Sequence, residues 1–109
     1  MLLCKREQIG LNQAKGFSVD LDTGAVLELL LVDRQGQLYA YVNSCPHIGA
    51  PLDWVPDQFL DQTGNYIQCS NHLAQFEITT GLCIAGPCRG KRLQALQIEI
   101  EGDQVILKA

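Results

Sequence analysis

From Ala25 to Asp33 the chain reads AVLELLLVD, an apolar run interrupted only by Glu28 and followed at once by the turn-forming DRQGQ. It is too short for a helix and predicts a buried strand. In LYAYVN, Leu38, Ala40 and Val42 then alternate with Tyr39 and Tyr41, so the two segments predict a hairpin that delivers the chain to Cys45. Near the C-terminus Leu96, Ile98 and Ile100 alternate with Gln97, Glu99 and Glu101; a Gly-Asp turn follows and QVILK returns as a partner strand. YIQC, AQFEI and LCIA predict short strands between these hairpins, and Cys4 reads as a small apolar residue of an N-terminal strand.

This pattern predicts an all-β chain, an antiparallel sandwich or barrel of many short strands. One stretch departs from it. GAPLDWVPDQFLDQTGN carries two prolines, two glycines and three aspartates, and predicts a long loop with one helical turn around PDQFLD, pinned to the body by Trp54 and Phe59. No repeat or linker divides the chain, so residues 1–109 are expected to form a single domain.

Charge narrows the partners. Eight Lys and Arg against twelve Asp and Glu give a net charge of -4 with no basic run, which argues against nucleic acid and anionic membrane surfaces. No apolar run reaches the roughly 20 residues of a membrane span, and MLLCKREQIG meets charge too early for an export signal or a lipoprotein anchor at Cys4. The expected setting is the cytoplasm, where five cysteines are not a disulfide framework.

The chemistry lies in two short pairs. Cys45 and His47 are one residue apart; 21 residues later Cys69 and His72 are two apart, and these two histidines are the sole ones in the chain. Each pair sits where a predicted strand runs into a loop, so both are placed to converge on one metal centre. Zinc accepts such a set tetrahedrally, although its usual pattern groups cysteine with cysteine and histidine with histidine. The alternative is a [2Fe-2S] cluster in which two histidines replace two cysteines on one iron, an arrangement that interleaved pairs suit.

CPHIGAPL, CSNHLAQF, TTGLC and GPCRGKRL together resemble the Rieske iron-sulfur family, and the strand pattern extends the likeness over essentially the whole chain. The resemblance implies that Cys45 and Cys69 bind an inner iron and that His47 and His72 bind an outer iron through Nδ1. A cluster-binding subdomain built of loops would span about 43–90, with Gly86 and Pro87 as a third loop shielding the cluster. It implies a one-electron carrier of the soluble ferredoxin type, not an enzyme, that works between a flavin-dependent reductase and an oxygenase or similar acceptor. The expected form is a monomer. A small subunit or redox sensor of a larger oxidoreductase is the rival reading, and a zinc-holding structural module the third.

Departures from the family pattern sharpen this expectation. Rieske proteins of quinol-oxidising complexes carry a disulfide between the cluster loops, and the corresponding positions here are Ala50 and Asn71. Where they place serine and tyrosine hydroxyls that stabilise the reduced cluster, this chain has Ala74 and Phe76. Loss of two donors predicts a potential in the lower part of the Rieske range of about -150 to +300 mV. Leu73 stands where glycine is usual, and DWVPDQFLDQTGN is a candidate insertion beside the cluster. Cys83 and Cys88, in CIAGPC, read as small buried side chains with a disulfide as the alternative. Arg89, Lys91 and Arg92 form the one dense positive group, a solvated face that also fits steering of an acidic partner.

Overall fold

The computed structural model describes residues 1–108 apart from His47, Ile48, Trp54, Asn71, His72 and Leu73. Among the described residues ten strands make up three antiparallel sheets. The first sheet has the order β1-β10-β9, from Leu2–Lys5, Gln104–Leu107 and Ile98–Glu101. The second runs β2-β3-β4-β8, from Ala14–Asp20, Val26–Arg34, Gln37–Val42 and Ala95–Leu96. The third runs β5-β6-β7, from Tyr66–Gln68, Gln75–Glu77 and Cys83–Ala85. Among the described residues no helix is long and apolar enough to cross a membrane.

The predicted hairpin of residues 25–42 is present, with Arg34 opposite Gln37 and Leu29 opposite Val42. Its two turn residues, Gln35 and Gly36, both have positive φ, 54° and 91°, the conformation that matches the twist of a tight hairpin. The reason for the apolar run is that β3 is buried on both faces from Leu29 to Val32. Leu29 and Leu31 enter one core with Leu38, Ala40 and Val105; Leu30 and Val32 enter the other with Tyr41, Phe59, Ile67 and Phe76. β3 is thus the wall between a core under the first sheet and a core that reaches the third.

Two expectations need correction. Leu96 does not continue into the C-terminal hairpin: it pairs with Ala40 in the second sheet, and β9 starts at Ile98 with its Ile100 largely exposed. The alternation from 96 to 100 is therefore divided between two sheets at Gln97. The expected helical turn around PDQFLD is a tight turn, in which Gln58 N–H donates to the Val55 carbonyl and Asp57 has φ 69°, outside helical geometry. Phe59 does pin this loop, being fully buried, while Trp54 lies outside the described residues.

Tyr41 ties the second sheet to the third. Its Oη donates to the Ile78 carbonyl at 2.6 Å in the interior, and burial, followed by the neighbouring Tyr39, pushes the phenol pKa up to about 12. A Cβ at Gly81, where φ is +75°, would lie 2.8 Å from Tyr41 Cε1, so glycine there lets the ring approach the turn after β6. Tyr41→Phe leaves the Ile78 carbonyl without this donor and is expected to cost about 1–2 kcal/mol, read as a lower midpoint in urea with unchanged slope.

Candidate functional site

Two loops leave the ends of strands and close in the same way. Off β4, the Cys45 N–H donates to the Ala50 carbonyl at 2.8 Å, and Gly49 N–H donates back to the Cys45 carbonyl at 2.7 Å. Off β5, the Cys69 N–H donates to the Ala74 carbonyl at 2.8 Å. In both, a cysteine at the loop's base is bonded to the carbonyl five residues on. The loops are joined where Ser70 N–H meets the Leu52 carbonyl at 3.0 Å.

Both cysteines belong to the same buried cluster of side chains, Cys45 at 1% exposure and Cys69 at 0%. His47 and His72, the other expected ligands, fall outside the described residues. The described part of the site is thus two buried thiols on paired loops, soft donors of the kind an iron-sulfur centre takes. Leu52, Phe59, Ile67, Ala74 and Phe76 surround them with carbon, a setting of low polarity.

A brace under the first loop was not legible beforehand. Asn43 Oδ1 accepts from Leu52 N–H at 2.7 Å, its Nδ2 donates to Asp53 Oδ1 at 2.9 Å, and its own N–H donates to the Glu28 carbonyl at 2.8 Å. Asn43 therefore holds the start and end of the loop against the edge of β3. An asparagine before Cys45 is ordinary turn composition, and nothing in the sequence marks this role.

The Gly86-Pro87 loop rests against the second loop. Gly86 has φ +96°, and a Cβ there would stand 2.8 Å from Ala74 Cα and 3.0 Å from its Cβ, so this loop packs directly on the end of the second. Gly86 and Pro87 are exposed at its tip, whereas Cys83 and Cys88 behind it are buried. Burial pushes the Cys88 thiol up to about 12; its hydrogen bond with Cys83 and the nearness of Cys83 and Cys45 add to this. Ala74 and Phe76, both fully buried, present no hydroxyl to the site.

The family model of the Rieske [2Fe-2S] domain matches residues 1–104. The chain belongs to this family. That membership settles the choice of metal in favour of a Rieske-type [2Fe-2S] cluster over zinc, and the fold of this Rieske protein is the expected all-β one.

The chain is 31% identical over 80 residues to the ferredoxin component of a naphthalene 1,2-dioxygenase system of Pseudomonas aeruginosa, covering 73% of this chain and 71% of that protein. It is 30% identical over 105 residues to the ferredoxin component of a p-cumate 2,3-dioxygenase system of Pseudomonas putida, 96% of this chain and 81% of the other. A solved complex of reduced oxygenase and oxidized ferredoxin in carbazole 1,9a-dioxygenase contains a chain of the same fold, with TM-score 0.75 and 21% identity over 98% of this chain and 90% of that one. This Rieske protein is accordingly an electron carrier and not itself an enzyme.

Proposed function

We propose that Cys45 and Cys69 bind the inner iron and His47 and His72 the outer iron, and that the carrier takes one electron from a flavin-dependent reductase and delivers it to a terminal oxygenase. The observation that supports this ligand set is the matched closure of the two loops, each with a buried cysteine at its base and a histidine two or three residues further on. When bound, the cluster supplies a one-electron site; the protein's part is to hold it in apolar surroundings at the tip of the third sheet. The naming of relatives as ferredoxin components of dioxygenase systems supports the oxygenase as acceptor. On this reading residues 1–109 are one domain, with the cluster-binding part at about 43–90, and the carrier works as a cytoplasmic monomer.

Arg89, Lys91 and Arg92 are exposed just beyond the Gly86-Pro87 tip and suit a partner whose docking face is acidic. Ala74 and Phe76 supply no hydroxyl, so the reduced cluster lacks two donors and its potential is low. Electron paramagnetic resonance of the anaerobically purified, dithionite-reduced protein tests the reading. The expected spectrum has the low average g-value of mixed Cys/His ligation, with a midpoint potential toward the lower end of about -150 to +300 mV. A silent, zinc-loaded protein, or a potential in the upper half of that range, would count against it.

A further inference from the structure

Behind the tip of the third loop sit two thiols that the proposed ligand set does not use. Cys83 opens β7 and Cys88 follows Gly86-Pro87, each 1% exposed, and their Sγ atoms are 2.7 Å apart. A disulfide needs about 2.05 Å between its sulfurs, so a shift of well under 1 Å brings them to bonding distance. Cys83 Sγ also donates to the Ala85 carbonyl at 3.2 Å, which directs its proton away from Cys88 and leaves a sulfur lone pair facing its neighbour.

The backbone already holds both residues in place. Cys83 N–H donates to the Lys91 carbonyl at 2.8 Å, Gly90 N–H to the Cys83 carbonyl at 3.1 Å, and Lys91 N–H to the Cys88 carbonyl at 2.9 Å. Closing residues 83–88 into a ring therefore orders nothing that is not ordered. We propose that Cys83 and Cys88 are an oxidisable dithiol, a modification site distinct from the cluster, which a small peroxide converts to an intrachain disulfide.

Both thiols are buried, so bulky disulfides cannot reach them and the oxidant must be as small as hydrogen peroxide. In the first step the Cys83 sulfur attacks peroxide: an S–O bond forms, the O–O bond breaks, and one water leaves, giving a sulfenic acid at Cys83. In the second step the other sulfur attacks it: the S–S bond forms, the S–O bond breaks, and a second water leaves. Two thiols lose two electrons and two protons in all, and peroxide is reduced to two waters. The product would tie the start of β7 to the residue after Pro87 and fix the loop that rests on Ala74.

The test uses the cluster-loaded protein. After brief exposure to hydrogen peroxide and quenching with catalase, the sample is denatured, alkylated with iodoacetamide and cut with Glu-C and trypsin. Cleavage after Glu77 and Arg89 releases residues 78–89, which contain Cys83 and Cys88 and no other cysteine. The expected result is that this peptide becomes two hydrogens lighter and carries no alkyl group, that a phosphine reductant restores two alkylation sites, and that visible absorption of the cluster is retained. Doubly alkylated peptide after peroxide treatment would overturn the proposal, as would a bridge that forms only once iron is lost. Loss of the cluster's signature before peroxide is added would instead count against the ligand reading, so the two failures are told apart.

Discussion

Cys69→Ser is expected to give a folded chain that retains less than about a tenth of its iron, with no visible colour and no signal in the reduced state. The side chain at this position is fully buried in the apolar cluster that also contains Cys45, and its N–H closes the second loop on Ala74. Serine keeps the backbone bond and nearly the same volume, so the loop can still form. What it lacks is a thiolate, the soft donor that distinguishes iron-sulfur ligation from an oxygen site. Cys4→Ser is the matched control: Cys4 pairs with Val105 in the first sheet and packs in the other core, on the far side of β3. It should lower stability by about 1 kcal/mol and leave iron content and spectrum as they were. Equal loss of iron in both variants would show that the effect at Cys69 comes from general destabilisation. Iron content by metal analysis, absorption and circular dichroism on the same samples decide the matter.

The legible parts of the fold were those where local pattern and tertiary need coincide. The run from Leu29 to Val32 is apolar because both faces of β3 are covered there, and Gly36 after it suits the positive φ that the two-residue hairpin needs. β2, by contrast, left a weak signal: Phe17 and Val19 alternate with Ser18 and Asp20 over four residues only, and Lys15 and Gly16 break the pattern before them. Gly16 is there for a reason that only the folded chain displays. A Cβ would stand 3.1 Å from Phe59 Cζ, so the bare backbone lets the Phe59 ring come close, and Gly16 N–H donates to Asp57 Oδ1 at 2.8 Å. The long loop is thus fastened to a strand that sequence pattern barely reveals.

The candidate site divides in the same way. Residue type and spacing pick out Cys45 and Cys69, since few uses other than metal binding place such donors beside histidines. The matching closures onto Ala50 and Ala74 and the link between Ser70 and Leu52 depend on backbone groups, which no sequence pattern advertises, and the Asn43 brace depends on where a common turn residue's side-chain amide finds the Leu52 N–H and Asp53. The contact of Cys83 with Cys88 was open for the same reason: a five-residue separation permits a meeting without requiring it, and the turn at Gly86 decides.

Asp33→Ala should be among the most destabilising single changes outside the site. Asp33 read as the polar end of an apolar run, yet it is 1% exposed and central to a buried knot. Its Oδ1 accepts from Asn12 N–H and from Gly36 N–H, each at 3.0 Å, and its Oδ2 pairs with the Arg6 guanidinium. Arg6 in turn donates to the Ile9 and Gly36 carbonyls, each at 3.1 Å, so the knot joins the segment after β1 to the β3-β4 turn. Alanine strands two backbone donors and the guanidinium. Breaking a buried pair costs about 3–5 kcal/mol, and because Arg6 keeps some solvent contact the lower end applies, about 3 kcal/mol and a fall in Tm of more than roughly 10 °C. Asp33→Asn retains an acceptor for the two N–H groups and should cost about half as much.

The same carboxylate gives the fold an acid limit. Burial alone would raise the Asp33 pKa, but the donors from Asn12 and Gly36 and then the Arg6 charge outweigh it and hold it below the ordinary carboxylate value. A folded pKa below the unfolded one, about 3.9 for aspartate, means that the stabilisation is complete above that pH and is lost as pH falls through the depressed value. Denaturation midpoints of the parent chain should therefore decline below about pH 4, and the part of that slope due to Asp33 should vanish in Asp33→Asn. Parallel pH curves for the two proteins would mean that this carboxylate is not held ionised by its partners, and the expected cost of Asp33→Ala would then fall with it.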